Sequence, residues 1–241
     1  MSQLQAVILA AGKGTRMKSD LPKVLHEING RPMVQYVVDA VRQAGVQDIC
    51  LVIGHGAEEV KKSMGEQAVY AIQDKQLGTG HAVRCATAFI GEAGDTFVLC
   101  GDTPLVTGDT LKKLYEKHRS EGNAVTAISA ELENPKGYGR IIRNEQGEFL
   151  KSVEDKDCSE EERKVTEVNA GMYLFRSKEL KQALELLNND NAQGEYYLPD
   201  TLEILKKQGY GINAMVLDRA EEMLGVNTQE QLKEAAALLK K

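Results

Sequence analysis

The residues best able to do chemistry stand in a glycine-rich turn, Leu9-Ala10-Ala11-Gly12-Lys13-Gly14-Thr15-Arg16, directly after an apolar run at Ala6 to Leu9. Glycine at a strand's end lets backbone N–H groups approach a phosphate, because no Cβ stands in the way. This is no Walker A loop, since no Gly-Lys-Ser/Thr follows at the required spacing. It is no dinucleotide fingerprint either, since Met17 takes the third glycine's place. Charge sets it apart: residues 13 to 31 hold Lys13, Arg16, Lys18, Lys23 and Arg31 against Asp20 and Glu27, a local +3. The whole chain, with 30 Lys+Arg and 36 Asp+Glu, carries −6. A compact cationic loop at the mouth of a sheet in an acidic chain suits a polyphosphate. The plainer alternative is a solvated surface loop.

A second signal, Leu99-Cys100-Gly101-Asp102-Thr103-Pro104, again follows an apolar strand. A lone carboxylate on the same sheet edge as the phosphate loop suits Mg²⁺, which takes one or two protein oxygens alongside phosphate oxygens and water. The alternative is an Asp that caps the helix starting near Thr107. A third segment, Gln73 to His81, offers amide and backbone groups that can read a base edge, or else a polar loop with a helix cap at Thr79. None of His26, His55, His81 and His118 has a carboxylate or Ser partner at a motif spacing, so Ser-His-Asp chemistry finds no support. Each histidine reads as satisfied or solvent-facing. Cys50, Cys85, Cys100 and Cys158 are scattered, without a CxxC pair or a Cys/His cluster, and read as reduced and mostly buried.

These residues need a frame. Ala6 to Leu9, Ile49 to Ile53 and Thr96 to Leu99 predict buried strands. Val34 to Ala44, Ala57 to Met64, Thr79 to Ile90 and Thr110 to His118 carry helical periodicity. That alternation predicts an α/β fold with a doubly wound, mostly parallel, Rossmann-like sheet. From about residue 124 strand-like runs crowd together, at Ala124 to Glu131, Gly139 to Ile142, Phe149 to Val153 and Val168 to Phe175, which predicts an inserted smaller mixed sheet. Helices at Leu180 to Leu187 and Leu198 to Lys207, a strand at Gly211 to Leu217 and a helix from Gln229 complete the expectation. Without a repeat or linker, residues 1–241 read as one domain in three stretches, 1–123, 124–227 and a C-terminal helix at 228–241.

Composition excludes some classes. The net negative charge argues against a nucleic-acid partner. No apolar stretch approaches the roughly 20 residues of a membrane span, and the start lacks a basic segment before its apolar run, so a cytoplasmic setting is expected.

Taken together, the motifs resemble the sugar-phosphate nucleotidyltransferases, whose signature GxGTR followed by Pro-Lys stands here as Gly12 to Arg16 and Pro22-Lys23. QLGTGHA at Gln76 to Ala82, GDTPL at Gly101 to Leu105, GYGRI at Gly137 to Ile141, NDNAQGEYYLPD at Asn189 to Asp200 and GVN at Gly225 to Asn227 narrow the likeness. They look like the uridylyltransferase half of the bacterial bifunctional uridylyltransferase/acetyltransferases, over essentially the whole chain.

The resemblance implies transfer of a uridylyl group from UTP to N-acetylglucosamine-1-phosphate, with Mg²⁺. Carried over by position, Leu9, Ala10, Ala11 and Gly12 would hold the nucleotide, with Lys23 beside its phosphates. Arg16 and Lys23 would act catalytically, Arg16 on the charge of the α-phosphate and the departing pyrophosphate. Gln73, Gly78 and Thr79 would read uracil; Asp102 and Asn227 would ligate the metal; Gly139, Glu154 and Asn169 would contact the sugar, with Asn227 also on the substrate side.

The chain departs from the family at Asp155, where many relatives have His, at Ala170, where Thr is common, and at Cys100, where some have Tyr. The family's left-handed β-helix half has no counterpart in these residues, so neither acetyltransferase activity nor the trimer that half supplies is expected, and the chain is expected to be a monomer. The other outcomes weighed are a nucleotidyltransferase for another pair, such as dTTP with glucose-1-phosphate, and a non-catalytic sugar-nucleotide sensor.

Overall fold

The computed structural model describes residues 3–240. In chain order the elements are β1 (Leu4–Ala10), β2 (Glu27–Ile28), β3 (Arg31–Pro32), α1 (Met33–Gln43), β4 (Asp48–Ile53), α2 (Ala57–Met64), β5 (Val69–Ile72), α3 (Thr79–Cys85), β6 (Asp95–Cys100) and α4 (Gly108–Glu121). There follow β7 (Val125–Glu131), β8 (Arg140–Arg143), β9 (Phe149–Val153), β10 (Glu167–Arg176), α5 (Ser177–Leu186), α6 (Asp200–Lys207), β11 (Ile212–Val216) and α7 (Gln229–Leu238).

Strand β1 lies at the heart of the sheet because both of its faces are apolar. Ala6, Ile8 and Ala10 pack with α1, α2 and α4, while Val7 packs with α3, α5 and α6. Strand alternation thus divides one run of residues between two helical layers, as a parallel strand covered on both sides requires. The sheet order is β11-β7-β10-β6-β1-β4-β5. Strands β4 and β5 extend it parallel on one side of β1, and β6 returns parallel on the other. The chain therefore reverses direction across the sheet at β1, and a crevice opens at the carboxyl ends of β1 and β6.

Strand β10 runs antiparallel to both β6 and β7, and near its start it also pairs with β8. The smaller sheet expected after residue 124 is the antiparallel β8–β9 hairpin, joined to the main sheet through β10. Helix α7 packs on Ile28, Met33, Leu105 and Val226; Lys241, at the end of the expected last helix, lies outside the described residues.

Several boundaries differ from the sequence expectation for local reasons. Helix α3 stops at Cys85 instead of reaching Ile90, because the Thr87 hydroxyl donates to Arg84 O at 2.7 Å and competes with the helical pattern. Strand β5 is not among the expected strands although Ala68 to Ile72 is an apolar run; it is a four-residue edge strand with Val69 and Ile72 exposed. Helix α6 begins at Asp200 because Pro199 precedes it. The short β2–β3 pair is not among the expected strands either, although Asn29-Gly30, both at positive φ, forms a two-residue hairpin turn between them.

The cysteines are all free, with Cys50 and Cys158 buried but Cys85 and Cys100 only half-buried. His118 does have a carboxylate neighbour, Asp95, 3.6 Å from Nε2, and its Nδ1 lies 3.0 Å from the Thr126 hydroxyl. All three are buried beside the α4–β7 turn, but His118 Nε2, like His26 Nε2, is buried without a hydrogen-bond partner, so neither ring is fully satisfied. No helix among the described residues is long and apolar enough to cross a membrane.

Candidate active site

Two cavities meet at the crevice above β1 and β6. One, of about 280 Å³, is walled by Leu9, Ala10, Ala11, Gly12, Lys23, Gln73, Gly78, Thr79 and Asp102 among others. The second, of about 220 Å³, is walled by Gly139, Glu154, Asn169, Tyr173, Leu198 and neighbours. Leu9, Thr79 and Cys100 belong to both walls. The expected nucleotide-binding residues therefore gather on one cavity and the expected sugar-binding residues on the next, although Gly12 and Asn169 are far apart in sequence.

The loop after β1 is shaped by Gly14. Its φ of +60° is left-handed, and a Cβ there would lie 2.6 Å from the Lys23 Cβ, so glycine alone lets Pro22-Lys23 fold back against the loop. Met17, 2% exposed, anchors the short Thr15–Met17 turn, while Val24 and Leu25 anchor Lys23. Lys23 Nζ donates to Asp102 Oδ2 and, at 2.8 Å, to Asn227 Oδ1. Arg16 donates to the same Asn227 oxygen at 2.8 Å. Neither Arg16 nor Asn227 lies on a cavity wall; these bonds tie them to its edge through Lys23.

Asp102 is held by the turn itself. Gly101 N–H donates to Leu9 O at 2.9 Å, joining the ends of β6 and β1, and the Thr103 hydroxyl donates to Cys100 O at 2.8 Å. Helix α4 is capped by Thr107, whose hydroxyl accepts from Thr110 N–H, so Asp102 is not a cap. The Asn227 segment arrives by a main-chain bond, Val226 N–H to Asp102 O at 2.8 Å. Asn227 Nδ2 donates to Gly225 O and its N–H to Gln231 Oε1, which turns Oδ1 toward the cations.

No cluster of three or more His, Cys, Asp or Glu able to hold a metal exists among the described residues. The converging donors are one carboxylate and one carboxamide oxygen. That hard, sparse set fits Mg²⁺, which draws its remaining ligands from phosphate and water.

In the second cavity Asn169 is fixed on every side. Its Oδ1 accepts from Tyr173 Oη at 3.0 Å and from Gly171 N–H at 2.9 Å, its Nδ2 donates to Ser152 Oγ at 3.0 Å, and its main-chain N–H donates to Gly139 O. The Asn169–Tyr173 bond exists because β10 bulges between these residues, with Gly171 at φ +70°. Burial, and then the charges of Asp200, Asp157, Asp155 and Glu195, raise the Glu154 pKa. Asp200, at the start of α6, is pushed up to about 6 by burial, Glu203 and Asp157. Burial and Asp102 push the Cys100 thiol up to about 12, so it is no nucleophile. Cations thus gather around Asp102 at one end of the crevice, and carboxylates surround Glu154 at the other.

The family departures have visible settings: Cys100 lies on both walls, Ala170 on the second, and Asp155 pairs at 3.2 Å with the buried Arg140 next to Gly139. In place of the helix cap considered for Thr79, its hydroxyl accepts from Leu198 N–H and locks the Leu198–Pro199 wall. Sequence reasoning missed Tyr173, which acts on Asn169 from the same strand, and Ser152 and Gln231, which act on site residues from other elements. It also passed over Glu195 and Gln76, which line the nucleotide cavity, although both stand inside blocks that carried the resemblance.

Comparison with known proteins adds the family. The model of the MobA-like NTP transferase domain matches residues 6–199. The chain is 50% identical over 241 residues to the bifunctional protein GlmU of Caldanaerobacter subterraneus subsp. tengcongensis, covering all of this chain and 52% of that protein. Against its namesake from Bacillus licheniformis the figures are 50%, all of this chain and 53%; against that from Clostridioides difficile, 45%, 98% and 52%. The chain thus spans about half the length of the curated relatives it matches. A solved Bacillus anthracis structure assigned as a glucose-1-phosphate thymidylyltransferase, in complex with a sucrose, superposes with a TM-score of 0.80 at 21% identity, covering 99% of this chain and 96% of that one, which speaks to the fold. With four-fifths of its length matched by the family model, the chain belongs to the MobA-like NTP transferase domain family and is a nucleotidyltransferase.

Proposed function

We propose that this chain joins UTP to N-acetylglucosamine-1-phosphate, giving UDP-N-acetylglucosamine and pyrophosphate, with Mg²⁺. The observation that carries the reading is the pair of adjoining cavities, with Lys23, Arg16, Asp102 and Asn227 at the phosphate end and Glu154 and Asn169 at the sugar end. Residues through 123 then form the nucleotide part and 124–227 mainly the sugar part, with α7 (Gln229–Leu238) following, all within one domain.

A sugar phosphate has a second pKa near ~6 and is mostly dianionic at neutral pH, so its oxygen needs no base from the protein. That oxygen attacks the α-phosphorus of UTP in line; a new P–O bond forms, the α–β bridging bond breaks, and pyrophosphate leaves with the electron pair. Asp102 and Asn227 would hold Mg²⁺, which would supply charge neutralisation on the phosphates. Arg16 and Lys23 add fixed and mobile positive charge where negative charge accumulates. Glu154 accepts from sugar hydroxyls, Asn169 offers its remaining amide proton, and Gly139 gives the ring close access to the backbone. Catalysis is positioning and charge neutralisation, with no acid or base assigned to any side chain. The partners on this reading are the two small substrates, not nucleic acid or membrane, and the setting is the cytoplasm.

The test is pyrophosphate release with Mg²⁺ across UTP, dTTP and CTP against N-acetylglucosamine-1-phosphate, glucosamine-1-phosphate and glucose-1-phosphate. Release chiefly from UTP with N-acetylglucosamine-1-phosphate is expected. Release from dTTP with glucose-1-phosphate moves the assignment to that pair, and silence with UTP still bound makes the chain a sensor.

A further inference from the structure

The carboxamide of Gln73 is buried on the wall of the nucleotide cavity, and its orientation is dictated by its neighbours. Nε2 lies 3.1 Å from Gly78 O and 3.1 Å from His81 Nδ1. A carbonyl oxygen only accepts, so the amide atom facing Gly78 O must be the NH2; the flipped amide would set two oxygens against each other. One amide proton goes to Gly78 O and the other to His81 Nδ1. An accepting ring nitrogen carries no proton, so the proton of His81 sits on Nε2.

The consequence falls on Gln73 Oε1. Both donors of the amide are consumed, while Oε1 accepts nothing among the described residues and is not sealed from the cavity. On the same cavity wall the Gly78 N–H, just ahead of α3, also has no hydrogen-bond partner among the described residues. An acceptor beside a donor matches a base edge with a ring N–H next to a carbonyl. It mismatches an edge with a bare ring nitrogen next to an amino group.

His81 is itself held by a fixed scaffold. Its ring lies 6.4 Å from that of Tyr196, and Arg84 sits 4.5 Å over the Tyr196 ring while donating to Leu184 O and Leu187 O.

We propose that His81 is a positioning residue for base choice: its unprotonated Nδ1 holds the Gln73 amide so that an acceptor, and no donor, faces the base. This deepens the reading that the Gln73–Gly78 loop meets the base and rests on it. Without His81 the terminal amide torsion is broad and soft, and the freed N–H can turn toward a ring nitrogen lone pair.

The experiment measures kcat/KM for UTP and for CTP in the intact chain, in His81→Leu and in His81→Asn, whose Oδ1 can replace Nδ1 as acceptor. The expected result is a UTP-over-CTP preference that falls about tenfold or more in His81→Leu, mainly through KM for UTP, and returns to within a few-fold in His81→Asn. A preference unchanged in folded His81→Leu overturns the role of His81. A wild-type chain with no preference overturns the base reading beneath it. Should His81→Leu fail to fold, the ¹⁵N spectrum of the histidine-labelled wild type, assigned with His81→Asn, decides: Nε2–H at His81 supports the proposal and Nδ1–H overturns it.

Discussion

Lys23 Nζ lies 2.8 Å from Asn227 Oδ1 and also bonds the Asp102 carboxylate, so one ammonium joins the two oxygens proposed to hold the metal. The pair is largely sheltered, with side chains 15% and 21% exposed. A carboxylate and a carboxamide oxygen converging on one positive charge form a negative pocket that a divalent cation can take over. Lysine's flexible stem then frees its charge for a phosphate.

That relationship makes Lys23→Ala informative in two directions. It should weaken UTP binding about tenfold or more, since hydrogen bonds to charged groups are worth about 1.5 to 3 kcal/mol, and affect sugar-phosphate binding much less. In the absence of nucleotide it should strengthen Mn²⁺ binding, because Asp102 and Asn227 lose their internal cation. Calorimetry with each ligand reads both, and weaker Mn²⁺ binding by the variant would contradict the displacement argument.

Asp102→Ala should lower turnover by ~10² to 10³ or more while leaving the fold intact. Its main-chain carbonyl, not its side chain, receives the Val226 N–H, so the Gly225–Asn227 segment keeps its anchor. Steady-state rates with a melting curve check this; an active, Mg²⁺-dependent variant would remove Asp102 from the metal site.

Tyr173→Phe removes the hydroxyl that fixes Asn169 Oδ1 at 3.0 Å and leaves the buried ring in place. The loss of one such bond is worth about 1 kcal/mol, so KM for the sugar phosphate should rise roughly fivefold while KM for UTP stays near wild type. Equal rises in both KM values would point to a general loosening of the crevice instead.

Asp200 carries a pH signature. Its pKa in the fold, about 6, is above the ordinary 3.8, chiefly through burial and then through Glu203 and Asp157. The folded chain therefore binds the proton more tightly than the unfolded one, and this group's contribution to stability falls as pH rises from the lower value through the upper. Asp200→Asn should stabilise the protein by about 1 kcal/mol near pH ~8, discounted for partial exposure, and by almost nothing near pH ~4. Denaturant melts at the two pH values decide it; equal gains at both would show that the carboxylate's charge is not the cause.

The sequence by itself determined the elements that encode their own burial. Ala6 to Leu9, Ile49 to Ile53 and Phe97 to Leu99 are short continuous apolar runs, the pattern of a strand covered on both faces; they lie in β1, β4 and β6. The cationic loop after Leu9 was legible because glycine spacing and charge are local properties. Tertiary structure alone decided which distant groups meet. Asn227 reaches Asp102 through a main-chain bond from Val226, and no run of side chains announces a main-chain bond. Tyr173 reaches Asn169 only because β10 bulges at Gly171, and the direction of the Gln73 amide depends on His81 in the first turn of α3. Such pairings follow from sheet order and backbone register, which emerge when the two helical layers pack around β1. Periodicity records which face of an element is buried, and it carries no record of what that face will touch.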